Sequence, residues 1–262
     1  MNLLTKEFSE KKLFYNLAVQ MVGNKRIRIY NEYCFDDRQP SPDIAIRTSH
    51  HLFMFEYKDM RVLRDVADGN DMNLLMDFMD DRLNKEKGSK GGNKGLPQLV
   101  IDMEEFFSGK WPWGEDYKKG NVKIHPILVV NSRLFTVRGI NYILLQKLHQ
   151  RILESEILKE HTKEIGDLLV MDYDMLILVV SKAYKNFAVF HHLLYSYQTH
   201  LRKTQNPVER YDSFKHYVMN KWEGEKTECE INHFKNGYKH VVKSLVKSKE
   251  SLSCTMNKRK NS

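Results

Sequence analysis

Two acidic residues and a lysine are spaced in this chain in a way that suits metal chemistry. Pro42-Asp43 is followed a short distance later by Glu56-Tyr57-Lys58. Side chains two apart on a strand share a face, so Glu56 and Lys58 are expected to point the same way. Carboxylates that face one another repel, and a divalent cation is the obvious group to compensate them. These residues could therefore hold a metal ion beside a lysine.

A β-hairpin is the element that must position this group. Residues 43–47 and 52–58 alternate in the manner of strands, and the second run is rich in aromatic residues. If Ser49-His50 forms the turn, paired residue numbers sum to 99, which places Asp43 directly opposite Glu56. The turn lacks Asn-Gly or Gly-Gly, so this register is one interpretation and the turn itself does not secure it.

The pattern Pro42-Asp43 … Glu56-x-Lys58 resembles the signature of the PD-(D/E)xK nuclease superfamily, which includes many restriction and phage-defence endonucleases. The resemblance implies that Asp43 and Glu56 bind Mg²⁺, with the backbone carbonyl of Tyr57, and that Mn²⁺ can substitute. It also implies that Lys58 orients or activates the attacking water. The reaction expected from this resemblance is metal-dependent hydrolysis of a phosphodiester bond.

The segments around the hairpin predict the rest of the same core. Apolar residues at 96, 99, 100, 103 and 106 form a helical stripe. Gln98 lies in that helix, where many superfamily members carry Gln or Lys, so it would hold the water, Lys58 or a nearby phosphate. The apolar run 124–130 suits a buried strand. With a helix over 5–22 and a strand near 26–33, the expected fold is α/β, with an αβββαβ restriction-endonuclease-like core whose mixed sheet is flanked by helices.

A plainer interpretation of the same residues stays open. Asp43 could be a turn or cap residue, and Glu56 and Lys58 an ordinary exposed pair on an edge strand. Against this, apolar side chains on both faces of 52–58 predict a strand buried on both sides, where a charge is costly unless it is paired or metal-bound. Glu10 and Glu32 are further candidates for an additional acid at the site.

The remaining chain divides into an insertion and a helical region. Residues 1–182 are expected to form the nuclease-like core, 183–250 a C-terminal helical region and 251–262 a disordered basic tail. The insertion at 59–93 begins as a short acidic helix and continues as a Gly- and Lys-rich loop, which either clamps a phosphate backbone or is only a linker. His191-His192 invites a catalytic interpretation, although one of two adjacent helical residues usually faces solvent. Downstream we predict helices over 141–158, 174–184, 186–203, 209–222 and 231–247, and a strand over 167–172.

Composition limits the class of protein. The 262 residues are 41% hydrophobic and carry a net charge of +8, which favours a polyanionic partner. The three cysteines are far apart and odd in number, so neither a disulfide framework nor a zinc cluster is implied. No apolar run is long enough to span a bilayer, and the N-terminus lacks a signal-peptide core. We therefore expect a cytoplasmic protein with no membrane partner.

These observations favour one function and leave two others open. The leading hypothesis is a Mg²⁺-dependent DNA endonuclease of a restriction or phage-defence system, with a partner protein or a homodimer as further expectations. The second hypothesis is a nucleic-acid-binding subunit of the same fold that needs a partner for activity. The third is a helical interaction protein in which the motif is accidental.

Overall fold

A computed structural model describes residues 14–23, 27–31, 34, 41–60, 62, 64–68, 71–85, 95–111, 120–224, 235–241 and 243. Several predicted features lie outside the described residues, namely Glu10, Glu32, the loop over 86–94 and the tail over 251–262. None of the helices described has the length and hydrophobicity needed to cross a membrane.

A mixed five-stranded sheet organises the described chain. Its spatial order is the order of the sequence, with β1 to β3 antiparallel and β3 to β5 parallel. Ile44 pairs with Phe55 and Arg47 with Leu52, so the register of the β2–β3 hairpin is the one predicted. The strands are β1 (Arg28–Asn31), β2 (Ile44–Arg47), β3 (His51–Lys58), β4 (Lys123–Val130) and β5 (Leu169–Asp172).

Helices cover both faces of the sheet. The described α-helices are α1 (Tyr15–Met21), α2 (Arg64–Asp68), α3 (Met72–Leu83), α4 (Leu96–Phe107), α5 (Ile140–Glu154), α6 (Tyr173–Lys182), α7 (Phe187–Lys203) and α8 (Phe214–Gly224), and residues 235–241 are also helical. The order α1-β1-β2-β3-α4-β4 agrees with the predicted αβββαβ order, and α2 and α3 lie in the predicted insertion. The α/β fold class is thereby confirmed.

The central strand β3 is buried on both sides, as the sequence predicts. Its even-numbered residues Leu52 and Met54 pack in one apolar cluster with α3, α4 and α5. Its odd-numbered residues Phe53 and Phe55 pack in a second cluster with α1, α6 and α7. This division follows from the alternation of side chains along a strand, and it places each residue of β3 on a known face.

Two predicted helices end or begin elsewhere. The helix expected over 141–158 stops at Glu154, because Ser155 adopts an extended conformation before a 3₁₀ turn at Leu158–His161. The helix expected over 209–222 is a 3₁₀ turn at Glu209–Tyr211 followed by α8. Asp212 is extended between them, and its carbonyl accepts a hydrogen bond from the Tyr197 hydroxyl. The amide of His216 donates to Ser213 Oγ at the start of α8, so Ser213 caps that helix.

The acidic segment of the insertion forms two helices, where one was expected. Asp71 lies between α2 and α3 and accepts hydrogen bonds from the amides of Asn73 and Leu74, so it is the N-cap of α3.

Helix α4 begins after Gly95, which has a φ of 68°. Because α4 packs on the same face of β3 as Met54, it brings polar residues of its own toward the end of that strand.

Candidate functional site

The end of β3 carries a buried acid beside a lysine. The Glu56 side chain is 3% exposed and the Lys58 side chain 18%, and the Lys58 ammonium contacts Glu56 Oε1. Both side chains point to the α4 face, as two-residue spacing requires. Because β3 is the third of five strands and Glu56 is buried, the alternative of an exposed pair on an edge strand is wrong.

Asp43 lies just before β2 and is tied to the same end of β3. Its Oδ2 accepts a hydrogen bond of 2.7 Å from the backbone amide of Tyr57. The hairpin register would place Pro42 opposite Tyr57, and Pro42 has no amide hydrogen to donate to the Tyr57 carbonyl. The regular β2–β3 ladder ends here, and the Asp43 carboxylate accepts a hydrogen bond from the Tyr57 amide at this end. This hydrogen bond agrees with the plainer interpretation of Asp43 as a turn or cap residue.

The carbonyl of Tyr57 lies on the same side of β3 as its amide. In an antiparallel pair one residue directs both backbone groups to the same neighbouring strand. The amide of Tyr57 points toward Asp43, so its carbonyl oxygen also faces that side of the strand. Three groups that are expected to hold a cation thus lie at one end of the hairpin. They are the carboxylates of Asp43 and Glu56 and the backbone carbonyl of Tyr57.

Helix α4 adds two polar residues to this end of β3. Gln98 and Asp102 are one helical turn apart, and Gln98 Nε2 donates a 2.9 Å hydrogen bond to Asp102 Oδ1. Asp102 is fully buried, and its Oδ2 has no hydrogen-bond partner within the described part of the chain. Gln98 was expected to hold a water, Lys58 or a phosphate, whereas its amide in this structure holds an acid.

The electrostatics of Asp102 tie the helix to the hairpin. Burial raises the pKa of its carboxyl well above the usual range, and the neighbouring charge of Glu56 raises that pKa further. The hydrogen bond from Gln98 lowers the same pKa, Asp43 raises it, and the positive charge of Lys58 lowers it. Asp102 is therefore close enough to all three predicted residues to feel their charge.

Asp102 is the residue that the sequence interpretation missed. It stands three residues after Leu99 and four before Phe106, both of which lie in the buried stripe of α4. An acid on the apolar face of an amphipathic helix is a recognisable signal, because burying a charge is costly unless something compensates it. The spacing of the apolar residues predicts the helix, and Asp102 is the acid inside that stripe.

The donor set suits a hard cation. Mg²⁺ and Mn²⁺ prefer carboxylate and carbonyl oxygens, and Mg²⁺ is usually held by only one or two carboxylates. Asp43 and Glu56 offer carboxylates and Tyr57 offers a carbonyl. The buried Oδ2 of Asp102, with no partner among the described residues, adds a further oxygen close to this charge. The residues present thus fit the cation that the resemblance implies.

Comparison with known proteins provides no relative for this chain. No family model, no curated protein and no solved structure matches it.

Proposed function

We propose that this protein is a Mg²⁺-dependent nuclease that hydrolyses phosphodiester bonds of DNA on a restriction-endonuclease-like core. The observation that supports the proposal is the convergence of Asp43, Glu56 and Lys58 at one end of the hairpin, with Asp43 bound to the amide of Tyr57 and Glu56 in contact with Lys58. In the sequence the motif is only a spacing. In the fold its three charged side chains lie at one end of the hairpin.

The carboxylates and the backbone have the binding role in this proposal. Asp43 and Glu56, with the carbonyl of Tyr57, would hold the cation. When bound there, Mg²⁺ supplies Lewis-acid stabilisation of the negative charge on the phosphate. Burial of Glu56 strengthens such an electrostatic interaction, because a site shielded from water screens charge less than solvent does.

Lys58 has the central role among the side chains that act on the substrate. Its ammonium is partly exposed while it contacts buried Glu56, so it lies between the acids and solvent. From that position it would orient the attacking water and place positive charge next to the phosphate as negative charge develops. Gln98 has a positioning role through Asp102, whose carboxyl it holds by one oxygen.

The wider biological role rests on the resemblance and on charge. A net charge of +8 suits a polyanionic substrate such as DNA. A cytoplasmic antiviral effector, with a partner protein of a defence system or as a homodimer, is the setting that the resemblance implies. The nucleic-acid-binding subunit and the interaction protein with an accidental motif are the outcomes that the experiment must separate from this proposal.

The test is a cleavage assay on supercoiled plasmid, linear duplex, single-stranded DNA and RNA, each with Mg²⁺, Mn²⁺ or EDTA. Wild type should cut only with metal, and Lys58→Ala should lower the rate about 10²–10⁴-fold, the usual contribution of such a group. Lys159→Ala is the matched control, because Lys159 is an exposed lysine paired with Glu156 on the surface. Cleavage in EDTA, or equal cleavage by Lys58→Ala, would contradict the proposal.

A pair of Asp43 variants separates the metal role from the structural one. Asp43→Asn keeps an oxygen to accept from the Tyr57 amide but lacks the charge, so it should fold normally and lose both Mn²⁺ binding and cleavage. Asp43→Ala should in addition lose about 1–3 kcal/mol of folding free energy, because a buried donor loses its charged acceptor. If wild type cuts nothing, calorimetry with Mn²⁺ decides: binding that Asp43→Asn abolishes indicates the partner-dependent subunit, and no binding indicates an accidental motif.

A further inference from the structure

Three histidines from three separate elements meet at the opposite end of the same sheet. His51 begins β3, His125 lies on β4 and His191 lies on α7. The parallel register pairs His51 with Lys123 and Phe53 with His125, so the two strand histidines are diagonal neighbours. One ring nitrogen from each of the three histidines lies within 4.8 Å of the others.

The three rings are in direct contact. His51 Nδ1 and His125 Nε2 are 3.0 Å apart. The ring of His191 lies 4.2 Å from that of His51 and 5.7 Å from that of His125, measured between centroids. The group, which we call the histidine cluster, therefore presents several ring nitrogens to one small volume.

The surroundings of the cluster are aromatic on the inner side and open on the outer side. His125 is 5% exposed and stacks on Phe53, with ring centroids 4.7 Å apart and an interplanar angle of 14°. His51 and His191 are half-buried. Nδ1 of His125 has no hydrogen-bond partner among the described residues, so the cluster itself does not satisfy all of its ring nitrogens.

The protonation state of the cluster suits metal ligation. Burial lowers the pKa of His125 to about 3 and that of His51 to about 4, with the neighbouring histidines adding to the effect. Burial also lowers the pKa of His191. Neutral imidazole is the form that binds a metal. The ammonium of Lys123 donates to the carbonyls of Lys163 and Ile165, and its positive charge also lowers the pKa of His51 and His125.

We propose that His51, His125 and His191 form a binding site for a divalent transition-metal ion of the Zn²⁺ class, with a fourth position open toward solvent. A tetrahedral zinc site with nitrogens at its usual bond length separates two ligand nitrogens by about 3.3 Å. The observed distance of 3.0 Å between His51 Nδ1 and His125 Nε2 is close to that value. The ligand nitrogens of all three residues lie within 4.8 Å of one another, so an inward movement of the His191 ring would complete the site. Three histidines with one open position is an arrangement that zinc accepts.

The bound ion would link parts of the chain that are far apart in sequence. His51 and His125 are 74 residues apart, and α7 brings the third ligand from the helical layer on that face. Because an ion that binds only the folded chain stabilises it by mass action, the site should raise the resistance of this layer to unfolding. The open position would be available to water or to an anionic ligand.

The histidine cluster is independent of the proposed nuclease site. It faces the α7 side of the sheet, whereas Glu56 faces the α4 side, and Glu56 lies about 17 Å further along β3 at the usual rise of a strand. Imidazole nitrogen selects zinc and its neighbours in the transition series, whereas carboxylate oxygen suits Mg²⁺. Failure of one proposal therefore says nothing against the other.

The test uses the full chain, stripped of metal and titrated with Co²⁺ while visible absorption is followed, then with Zn²⁺ in competition. Wild type should bind one Co²⁺ that Zn²⁺ displaces and excess Mg²⁺ does not. His191→Ala should weaken binding at least about tenfold. His192→Ala is the matched control, since His192 is the exposed neighbour on α7 and should leave the affinity unchanged.

A second readout keeps the result independent of spectroscopy. Zn²⁺ should raise the melting temperature of wild type, of His192→Ala and of Asp43→Asn, and should not raise that of His191→Ala. The proposal is overturned if wild type and His191→Ala bind Co²⁺ and Zn²⁺ with the same affinity, or if wild type binds neither ion. It is also overturned if the tight ion disappears with Asp43→Asn, which would assign it to the acidic site.

Discussion

At the scale of single residues, the acidic site gathers several carboxyl groups around one lysine. Asp43, Glu56 and Asp102 bring three carboxyl groups together, and Lys58 brings one positive charge to them. Fully buried Asp102 responds with a strongly raised pKa. A cation that binds beside Asp102 would favour loss of the proton from its carboxyl, which is the behaviour expected at a metal site.

The pH dependence of stability follows from the sign of this shift. Because the pKa of Asp102 is higher in the folded chain than in the unfolded one, its protonation favours folding. This contribution is fully present below the unfolded pKa of about 4 and is lost as pH rises through the folded pKa. In EDTA at pH 8, the free energy of unfolding of Asp102→Asn should therefore be about 1–3 kcal/mol larger than that of wild type. The difference should shrink toward pH 5.

Asp80→Asn is the control with the opposite sign. A hydrogen bond from Lys147 lowers the pKa of Asp80, so this acid stabilises the fold above its unfolded pKa and the effect is lost as pH falls through the folded pKa. Asp80→Asn should reduce stability at pH 8, measured by urea unfolding. If Asp102→Asn also reduced stability at pH 8, the explanation given for Asp102 would be wrong.

At the scale of elements, β3 carries both proposed sites because it is central and buried on both faces. Its C-terminal end holds Glu56 and Lys58 toward α4, and its N-terminal end holds His51 toward α7. Each site then needs a second element that arrives at a fixed angle. For the acidic site this element is α4, and its start is set by Gly95.

The start of α4 provides a matched pair of glycine variants. Gly95 has a φ of 68°, and a side chain there would meet the carbonyl oxygen of Leu83 at 2.6 Å, whereas Gly109 has a φ of 70° and open space around it. Both alanine variants carry the strain of a positive φ, a backbone conformation that residues with a side chain rarely adopt. Gly95→Ala should therefore be clearly the less stable of the two in urea unfolding.

The same pair tests how the helix contributes to the site. Gly95→Ala displaces the start of α4 and with it Gln98 and Asp102, so Mn²⁺ binding at the acidic site should weaken. Gly109→Ala lies beyond the end of α4 and should leave Mn²⁺ affinity unchanged. Equal effects of the two variants on stability and on metal affinity would show that the close approach to Leu83 has no consequence.

At the scale of the whole molecule, the net charge of +8 gives a prediction that does not depend on catalysis. In EDTA the protein should bind a short DNA duplex, and its affinity should fall about tenfold or more between 50 and 200 mM NaCl, because bound counterions are released from the phosphates. Fluorescence anisotropy measures this directly. A duplex of the same sequence on an uncharged peptide backbone is the control, and affinity that ignores salt would count against a phosphate-binding surface.

Local sequence patterns are sufficient to predict most of the elements and the proximity of Asp43, Glu56 and Lys58. Alternation in 43–47 and 52–58 is enough to predict a hairpin, and the observed pairing of Ile44 with Phe55 agrees with the predicted register. The stripe in α4 and the apolar run in β4 are similarly local signals. Asp43, Glu56 and Lys58 could be placed together because a hairpin joins residues that are close in sequence.

Contacts between residues that are distant in sequence depend on how the elements pack. Asp102 reaches the acids because α4 packs on one face of β3, and Gln98 binds Asp102 for the same reason. The histidine cluster depends on the parallel pairing of β3 with β4 and on the packing of α7, and no local pattern specifies either contact. Local spacing determines strands, helices and the pairs within a hairpin, whereas the energy of burying two faces of one sheet selects the partners that come from elsewhere in the chain.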